Sequence, residues 1–450
     1  MSSSFFTGSL ELYNGTFTST QAVTRNIITA DLDRLLKAVS PSAMHNSAEA
    51  KPANYHPDTC HTVLANIFDW AGGNGNAPVM LLDGSIGSGK TTIAHHVADV
   101  ADEQGYLGAT FFFNRLDSSR NHAKSIIPTI AYQIGKVVPG FLNEVHQAME
   151  ADPLITERNL SIQLEVLVLR PLQISGNRRD LLVILDGLDE CSTDLGQLLL
   201  DFMVQAARPE IPLKIFLTSR PGRDLSRHLN SFDSNLLTRL SLDDDTNVSR
   251  DAEIRHFLED KFKVIAQTHP MAHHIPKPWP TNDSIDSLVK NASGHFLYAS
   301  EVIKFVSSVR RLPHHQLEIV LGTSSCPSNV GNPFEVLDGA YMHLFSYVES
   351  SSLDDVLAAL GAAMVLSQVD SAVTICRVAD VADFLSIGPE EVELLLWDLS
   401  SIVQIRQGKL CFLHGTLRDF LLDKTRSCNY YIDILRVQKG LGSPKCAQSD

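Results

Sequence analysis

The sequence has few of the features that mark secreted or membrane proteins. Its seven cysteines form no C-x-x-C pair, and an odd number in a long chain argues against a disulfide framework or a zinc site. The N-terminus lacks a basic segment followed by a long apolar core, and the longest apolar stretch, residues 358–366, is too short to span a bilayer. We therefore expect a cytoplasmic protein with no membrane span.

Basic residues are also scarce. The 450 residues include 37 Lys and Arg but 52 Asp and Glu, which gives a formal net charge of -15. Such a chain has no general attraction to nucleic acid or to anionic membranes. Its hydrophobic content of 44% is enough for each of about three domains to bury a core. We expect proteins and small molecules, and no nucleic acid, as partners.

One glycine-rich stretch carries most of the functional information. Residues 84–91 match the phosphate-binding pattern G-x-x-x-x-G-K-S/T at every fixed position. An apolar run at 79–82 predicts a buried strand before this stretch, and residues 92–100 predict a helix after it. A loop in that context directs successive backbone N–H groups and the positive end of a helix dipole at phosphate. The sequence therefore predicts a nucleotide-binding loop.

The residues of this loop have separate expected roles. Lys90 would reach the β- and γ-phosphates, and the Thr91 hydroxyl would ligate Mg²⁺. A chance turn rich in glycine and serine is the alternative, and both flanking elements argue against it. The predicted nucleotide-binding residues are Gly84, Ser85, Ile86, Gly87, Ser88, Gly89, Lys90, Thr91 and Thr92.

Three carboxylates follow the most apolar strand prediction, residues 181–185. Asp186 stands at the carboxyl end of that strand, where α/β sheets place their ligands, and would hold Mg²⁺ together with Thr91. Asp189 and Glu190 add two carboxylates at the rim, and one of them could orient a water against the γ-phosphate. The alternative for these two residues is a solvated turn after the strand.

A cation follows the next buried run, residues 213–218. Arg220 could lie near the γ-phosphate and distinguish a triphosphate from a diphosphate, or it could form a surface ion pair. The run at 114–117 is similar to a guanine-reading motif, but it has Arg115 in place of Lys and precedes the Asp186 strand. We therefore favour adenine, and expect ATP or ADP with Mg²⁺.

Strands alternating with helices predict an α/β fold, a parallel P-loop NTPase sheet covered by helices on both faces. No further buried strand is expected beyond about residue 223, where the pattern becomes helical. Helices followed by β-prone runs at 402–406 and 409–413 suggest a winged-helix domain. The predicted domains are an N-terminal segment, hairpin or disordered, at 1–28; a helical linker at 29–77; the NTPase domain at 78–225; a helical domain at 226–330; a winged-helix domain at 331–430; and a flexible tail at 431–450.

With these motifs the chain resembles the NACHT-domain proteins of fungi, which belong to the STAND class of nucleotide-switch ATPases with the NOD-like receptors. Residues 84–92, 182–191 and 217–221 are similar to that family's Walker A, Walker B and sensor 1 segments. The resemblance implies an AAA+-like NACHT domain with a nephrocystin-like N-terminal region. It also implies that His414 contacts the β-phosphate of ADP and holds a closed state, although the residues around it depart from the usual His-Pro-Ser-Phe.

The function implied by this resemblance is a signalling switch. Such a protein is closed with ADP and opens on exchange for ATP to self-associate, with slow ATP hydrolysis, in fungal innate immunity or non-self recognition. Two alternatives remain open. One is a P-loop ATPase whose turnover drives remodelling. The other is a truncated, non-enzymatic adaptor without sensor repeats, because the sequence contains no internal repeat.

Overall fold

The computed structural model describes residues 33–47, 55–57, 59–74, 77–115, 117–191, 195–206, 208, 210–220, 235–243, 247–323, 334–367, 374–400, 402–413 and 415–441. The segment 1–28, for which a hairpin or disorder was expected, lies outside these ranges. The chain divides into two compact units, one containing residues up to 41 with 124–177 and the other containing 42–123 with 178 onward.

The helices are numbered here in chain order. They are α1 (33–38), α2 (His61–Asp69), α3 (Lys90–Glu103), α4 (Ile126–Val137), α5 (Phe141–Ala151), α6 (Leu160–Leu164), α7 (Arg170–Ile174), α8 (Gly196–Ala206), α9 (Asn247–Thr268), α10 (Asn282–Ala292), α11 (Phe296–Val306), α12 (Pro313–Val320), α13 (Glu335–Phe345), α14 (Leu353–Leu366), α15 (Val378–Leu385), α16 (Pro389–Leu395), α17 (Gly415–Leu422), α18 (Lys424–Ser427) and α19 (Ile434–Leu441).

The smaller unit is helical in its described part. Helix α4 is buried throughout residues 126–131, whereas α5 buries one face, on which apolar residues recur at intervals of four. Phe141, Val145 and Met149 of α5, for example, are all buried. A π-helical segment, Glu165–Leu169, joins α6 to α7. None of the helices in the described ranges of the chain is both long and apolar enough to cross a bilayer.

The larger unit is built on a five-stranded parallel sheet in the order β2-β3-β4-β1-β5. Its strands are β1 (Val79–Asp83), β2 (Leu107–Phe112), β3 (Leu181–Asp186), β4 (Leu213–Ser219) and β5 (Leu237–Ser241). The first four are apolar runs that are buried almost throughout, as their sequences predict. Helices α2 and α3 pack on the sheet through Val63, Ile67, Ile93, Val97, Leu82, Ile184 and Phe216. The predicted α/β fold is confirmed.

The fifth strand corrects the sequence prediction. Beyond about residue 223 no further buried strand was expected, and an edge strand was not considered, but β5 pairs in parallel with β1 at the edge of the sheet. Only Leu237 of this strand is fully buried, and the other four residues are intermediate or exposed. An edge strand with polar residues lacks the apolar run by which a buried strand is recognised. This strand also lies beyond residue 225, where the predicted NTPase domain ends.

The C-terminal half combines helices with a three-stranded antiparallel sheet in the order β6-β8-β7. These strands are β6 (Ile375–Arg377), β7 (Val403–Arg406) and β8 (Lys409–Phe412), so the two β-prone runs do form a hairpin. Strand β6 was not predicted. One continuous apolar cluster extends from α9 to Ile432 and includes Ile86 of the glycine-rich loop. The assignment of this region as a winged helix stays a prediction.

The first part of the predicted flexible tail has regular structure, because residues 434–441 form the helix α19. Val437 packs on Gly361 of α14, where an added Cβ would lie only 3.0 Å from the Val437 Cγ2 atom. Ile432 packs on the same glycine. Gly361 of α14 thus allows Ile432 and Val437 to pack closely against this helix, and their contacts hold the C-terminal segment in place.

Candidate functional site

The candidate site residues meet at the carboxyl ends of the parallel strands. The glycine-rich loop follows β1, Asp186 ends β3, and Arg220 follows β4. Because all five strands run in the same direction, their carboxyl ends lie along one edge. The fold therefore brings together segments that are far apart in sequence, and the predicted site residues in the described ranges lie close to one another.

The loop conformation depends on its glycines. Gly87 has a φ of 72° and Gly89 a φ of 99°, in the left-handed region that other residues rarely adopt. A Cβ atom on Gly87 would lie 2.6 Å from the Cβ of Leu297 in α11, so this position also requires a small residue for packing. Gly89 caps the start of α3, whose first N–H groups are free to bind an anion.

Lys90 is buried beneath this loop. Its Nζ donates to the carbonyl oxygens of Gly84 at 2.7 Å and Ser85 at 2.8 Å. Burial lowers the pKa of Lys90 to about 8, although the charges of nearby aspartates, chiefly Asp189 and Asp243, oppose this effect. The ammonium group is thus held where phosphate oxygens would bind, by backbone acceptors that a phosphate can replace.

The predicted metal ligands are in direct contact. The Thr91 hydroxyl donates to Asp186 Oδ2 at 2.9 Å, and the Thr218 hydroxyl donates to Oδ1 at 2.5 Å. Burial raises the pKa of Asp186, and the hydrogen bonds from Thr218 and Thr91 oppose that rise. Thr218 also accepts from the Gly187 N–H at 2.9 Å, which fixes the position of the carboxylate. Sequence reasoning gave Thr218 no role.

This pair of oxygen donors fits Mg²⁺. In nucleotide sites Mg²⁺ takes one or two protein oxygens and completes its shell with phosphate and water. Thr91 and Asp186 would supply the two protein oxygens. No group of three His, Cys, Asp or Glu side chains suited to a metal occurs among the residues that the structure describes, so the phosphates would have to provide further ligands.

The three predicted catalytic residues form one charged cluster. Arg220 Nε lies 3.1 Å from Asp189 Oδ2, and Arg220 Nη2 lies 3.4 Å from Glu190 Oε1. Burial raises the pKa of Glu190, the Asp189 charge raises it further, and Arg220 opposes both. A surface ion pair was the alternative for Arg220. The pair in the structure is instead partly buried, and its partners are the two other candidate catalytic residues. Their catalytic roles stay predictions.

A cavity of about 300 Å³ extends from this cluster along the loop. Residues 86–93 line this cavity together with Asp189, Glu190 and Arg220. It is also lined by residues that the sequence did not single out, which are Tyr55, His56, Thr59, Cys60, Phe257, Phe296, Leu297 and Ser300. Among these, the Phe257 ring is in edge-to-face contact with the rings of His56 and Phe296. The cavity thus combines polar groups with aromatic side chains, as a nucleotide with its flat base requires.

Several polar residues near the loop were also missed. Asp243, after β5, accepts from the Ser85 N–H at 2.9 Å and from its hydroxyl at 3.0 Å. It was missed because β5 itself was missed. The guanidinium of Arg115, after β2, lies 4.1 Å from the centre of the Tyr347 ring, and its backbone N–H donates to Glu190 at 3.3 Å. His414 lies outside the described ranges, so its predicted contact with ADP stays a prediction.

Comparisons with known proteins extend this description. Residues 58–220 match the family model described as Nephrocystin 3, N-terminal. The chain is 24% identical over 397 residues to vegetative incompatibility protein HET-E-1 of Podospora anserina, in a match that covers 86% of this chain and only 28% of that protein. The Walker-type ATPase PABY2304 of Pyrococcus abyssi is similar in structure, with a TM-score of 0.52 at 15% identity, covering 82% of this chain and 97% of that one.

Proposed function

We propose that the site of this NACHT-type P-loop NTPase binds ATP and ADP. Exchange of ADP for ATP would then switch the protein between two states. The observation that carries this proposal is the arrangement around the loop. Lys90 lies under the loop, the Thr91–Asp186 pair lies beside it, and the cavity along the loop is also lined by aromatic residues.

The binding step follows from these contacts. Phosphate oxygens are stronger acceptors for an ammonium group than backbone carbonyls, so bound phosphates would draw Lys90 away from Gly84 and Ser85. The N–H groups at the start of α3 would bind the same phosphates. Mg²⁺, held by Thr91 and Asp186, would neutralise phosphate charge. The aromatic residues that line the cavity would hold the base, for which we favour adenine.

A γ-phosphate would distinguish ATP from ADP through Arg220. In the structure this guanidinium is paired with Asp189 and Glu190. A γ-phosphate at the same end of the cavity would compete for it, and the carboxylates would then lose a partner. We infer that this change opens the closed, ADP-bound form and allows self-association. The similarity to HET-E-1, a vegetative incompatibility protein, supports a role in non-self recognition for this chain.

A second candidate function is ATP turnover for its own sake, as in remodelling ATPases. The position of Glu190 favours some hydrolysis, because a partly buried carboxylate with a raised pKa is suited to accept a proton from water. Fast steady-state hydrolysis without a stimulus, abolished by Glu190→Gln with ATP binding retained, would favour this function over a switch. Slow hydrolysis that follows a change in oligomeric state would favour the switch.

The decisive experiment measures nucleotide binding and particle size together. We expect the wild-type protein to bind ADP and ATP by calorimetry and to associate in ATP when followed by light scattering. Lys90→Ala should lose nucleotide binding at least tenfold, about the value of one charge-assisted hydrogen bond. Lys263→Ala, at an exposed position on α9, is the control and should bind normally. Undiminished affinity in Lys90→Ala would contradict the proposal.

A further inference from the structure

His295 makes contacts that none of the sequence motifs explains. It precedes α11, and only 4% of the residue is exposed. Its Nδ1 lies 3.3 Å from the Ser85 hydroxyl oxygen in the glycine-rich loop, and its Nε2 lies 2.8 Å from the Leu413 carbonyl oxygen. One buried imidazole therefore bridges the loop and the end of the C-terminal hairpin.

The chemistry of this bridge is directional. A carbonyl oxygen only accepts, so the Nε2 atom of His295 carries a proton and donates it to Leu413. On the other side, the Ser85 hydroxyl has one proton, which it donates to Asp243 Oδ1 at 3.0 Å or shares between that oxygen and the Nδ1 atom at 3.3 Å. These contacts form one chain from Leu413 through His295 and Ser85 to Asp243. Because an unpaired buried polar group is costly, each member of the chain restrains its neighbours.

The loop is held by the helical region at further points. The Leu297 N–H donates to the Gly87 carbonyl at 3.3 Å, and the Arg250 guanidinium donates to the Ser88 carbonyl at 3.4 Å. The outer side of the loop is thus tied to α9 and α11, and His295 adds the bond to Leu413. A change in the loop cannot occur without adjustment at these contacts.

At the other end of the bridge, Leu413 is part of the hairpin framework. Its N–H donates to the Ile402 carbonyl at 2.8 Å, directly before β7, while Leu413 itself directly follows β8. Both ends of the β7–β8 hairpin therefore meet at this residue. A shift of the Leu413 carbonyl displaces the hairpin as a whole.

Ser85 is one of two loop residues, with Gly84, whose bond from Lys90 would be broken by bound phosphate. Its carbonyl accepts from Lys90, the group that phosphates would attract under the proposed function. When Lys90 turns to phosphate, the Ser85 carbonyl loses this bond, and the residue is left held by Asp243 and His295.

We propose that His295 transmits the occupancy of the glycine-rich loop to the β7–β8 hairpin through its bonds to Ser85 and Leu413. This inference rests on the proposed function and adds a route by which the nucleotide acts on the C-terminal region. His295 is a positioning residue in this scheme. It touches the loop and not the phosphates, so its removal uncouples the hairpin without removing the nucleotide site.

Hydrogen–deuterium exchange of residues 403–412 tests this route in the full chain, with and without saturating ADP. In wild type, ADP should change the exchange rate of these amides by about fivefold, the effect of making or breaking one hydrogen bond. His295→Gln keeps an amide N–H group that can reach the Leu413 carbonyl. His295→Asn keeps an amide group near the Nδ1 position, which faces Ser85. Each should bind ADP and lose most of the hairpin response.

The matched control is His269→Gln. His269 is also buried and also bonds to a backbone carbonyl, that of Ser308, at 3.2 Å, but within the helical region. This variant should respond to ADP like wild type. A hairpin response that persists at full size in both His295 variants would overturn the proposal. If neither of them folds, Ser85→Ala tests the bridge from the loop side, and an unchanged response there would overturn it as well.

The two proposals fail in different ways. If wild type binds neither ADP nor ATP by calorimetry, the proposed function is wrong. If wild type binds ADP and its hairpin responds, but the His295 variants respond equally, nucleotide binding stands and only the route through His295 is wrong.

Discussion

Arg220 is bound to Asp189 in two ways. The backbone N–H of Arg220 donates to Asp189 Oδ1 at 2.8 Å, while the side-chain Nε lies 3.1 Å from Oδ2. The backbone bond holds the carboxylate in place whatever the side chain does. The guanidinium can therefore turn toward a different anion without releasing Asp189, which is the property that a residue sensing a γ-phosphate needs.

Arg220→Ala should consequently weaken the binding of ATP more than that of ADP. We expect the ratio of the two Kd values to change by about tenfold, the size of one charge-assisted hydrogen bond. Calorimetry with both nucleotides measures this ratio. Arg178→Ala is the control. Arg178 is exposed and precedes β3, so it lies at the amino end of that strand, away from the candidate site. Equal losses for ATP and ADP would show that Arg220 does not sense the γ-phosphate.

The affinity for ADP should fall as the pH rises through 8. Burial lowers the pKa of Lys90 to about 8 in the free protein, and phosphate prefers the ammonium form. Between pH 7 and pH 9 the protonated fraction of such a group falls about tenfold, so the Kd for ADP should rise by about the same factor. Calorimetry at pH 7, 8 and 9 gives the profile.

Lys90→Arg provides the control for this profile, because a guanidinium stays charged throughout the range. Whatever its affinity for ADP at pH 7, the Lys90→Arg variant should bind ADP almost as tightly at pH 9. A wild-type Kd that does not change between pH 7 and pH 9 would contradict the role of the buried ammonium.

Gly87→Ala should damage the site through backbone strain and a steric clash. The residue has a φ of 72°, and the new Cβ would lie 2.6 Å from the Cβ of Leu297, an atom that cannot rotate away. We expect a loss of about 1 to 3 kcal/mol in the free energy of unfolding, together with weaker ADP binding. Chemical denaturation and calorimetry measure the two effects.

Gly339→Ala serves as the matched control. Gly339 lies within α13, and no atom outside its own helix would approach an added Cβ within 4 Å. Alanine there should be neutral or stabilise the helix by up to about 1 kcal/mol. An unfolding midpoint for Gly87→Ala equal to that of wild type would mean that the loop accommodates a side chain, against the geometry described above.

The C-terminal region should depend on one largely buried ion pair. Arg426 of α18 binds Asp338 of α13 through two bonds, at 2.7 and 3.0 Å, and the two side chains are 15% and 9% exposed. Arg426→Ala would leave a buried carboxylate without its main partner. We expect a loss of about 3 kcal/mol in the free energy of unfolding.

The control for this prediction is Arg377→Ala, which removes an exposed pair with Asp380. Exposed ion pairs contribute little to stability, so its thermal unfolding midpoint should stay close to that of wild type. Similar midpoints for the Arg426 and Arg377 variants would indicate that the buried pair does not stabilise the region.

Much of the site was predictable, because its information is local. Residues 84–91 combine glycines that permit a tight turn with a lysine and a threonine at fixed spacing. Asp186 was predictable for a similar reason, since it ends an unbroken apolar run. Strands β1, β3 and β4 followed from the same kind of run. Strand β5 did not, because an edge strand buries too few of its residues to show that pattern.

The sequence alone therefore determined the phosphate-binding loop, the parallel sheet and the acidic end of β3, because each depends on residues that are neighbours in the chain. Only the tertiary structure decided what surrounds the loop. Asp243 and His295 contact Ser85 from 158 and 210 residues away, across elements whose packing joins them. No spacing in the sequence encodes such contacts, since they depend on how amphipathic helices and an edge strand pack together. His295 also contacts Leu413, at the end of the C-terminal hairpin.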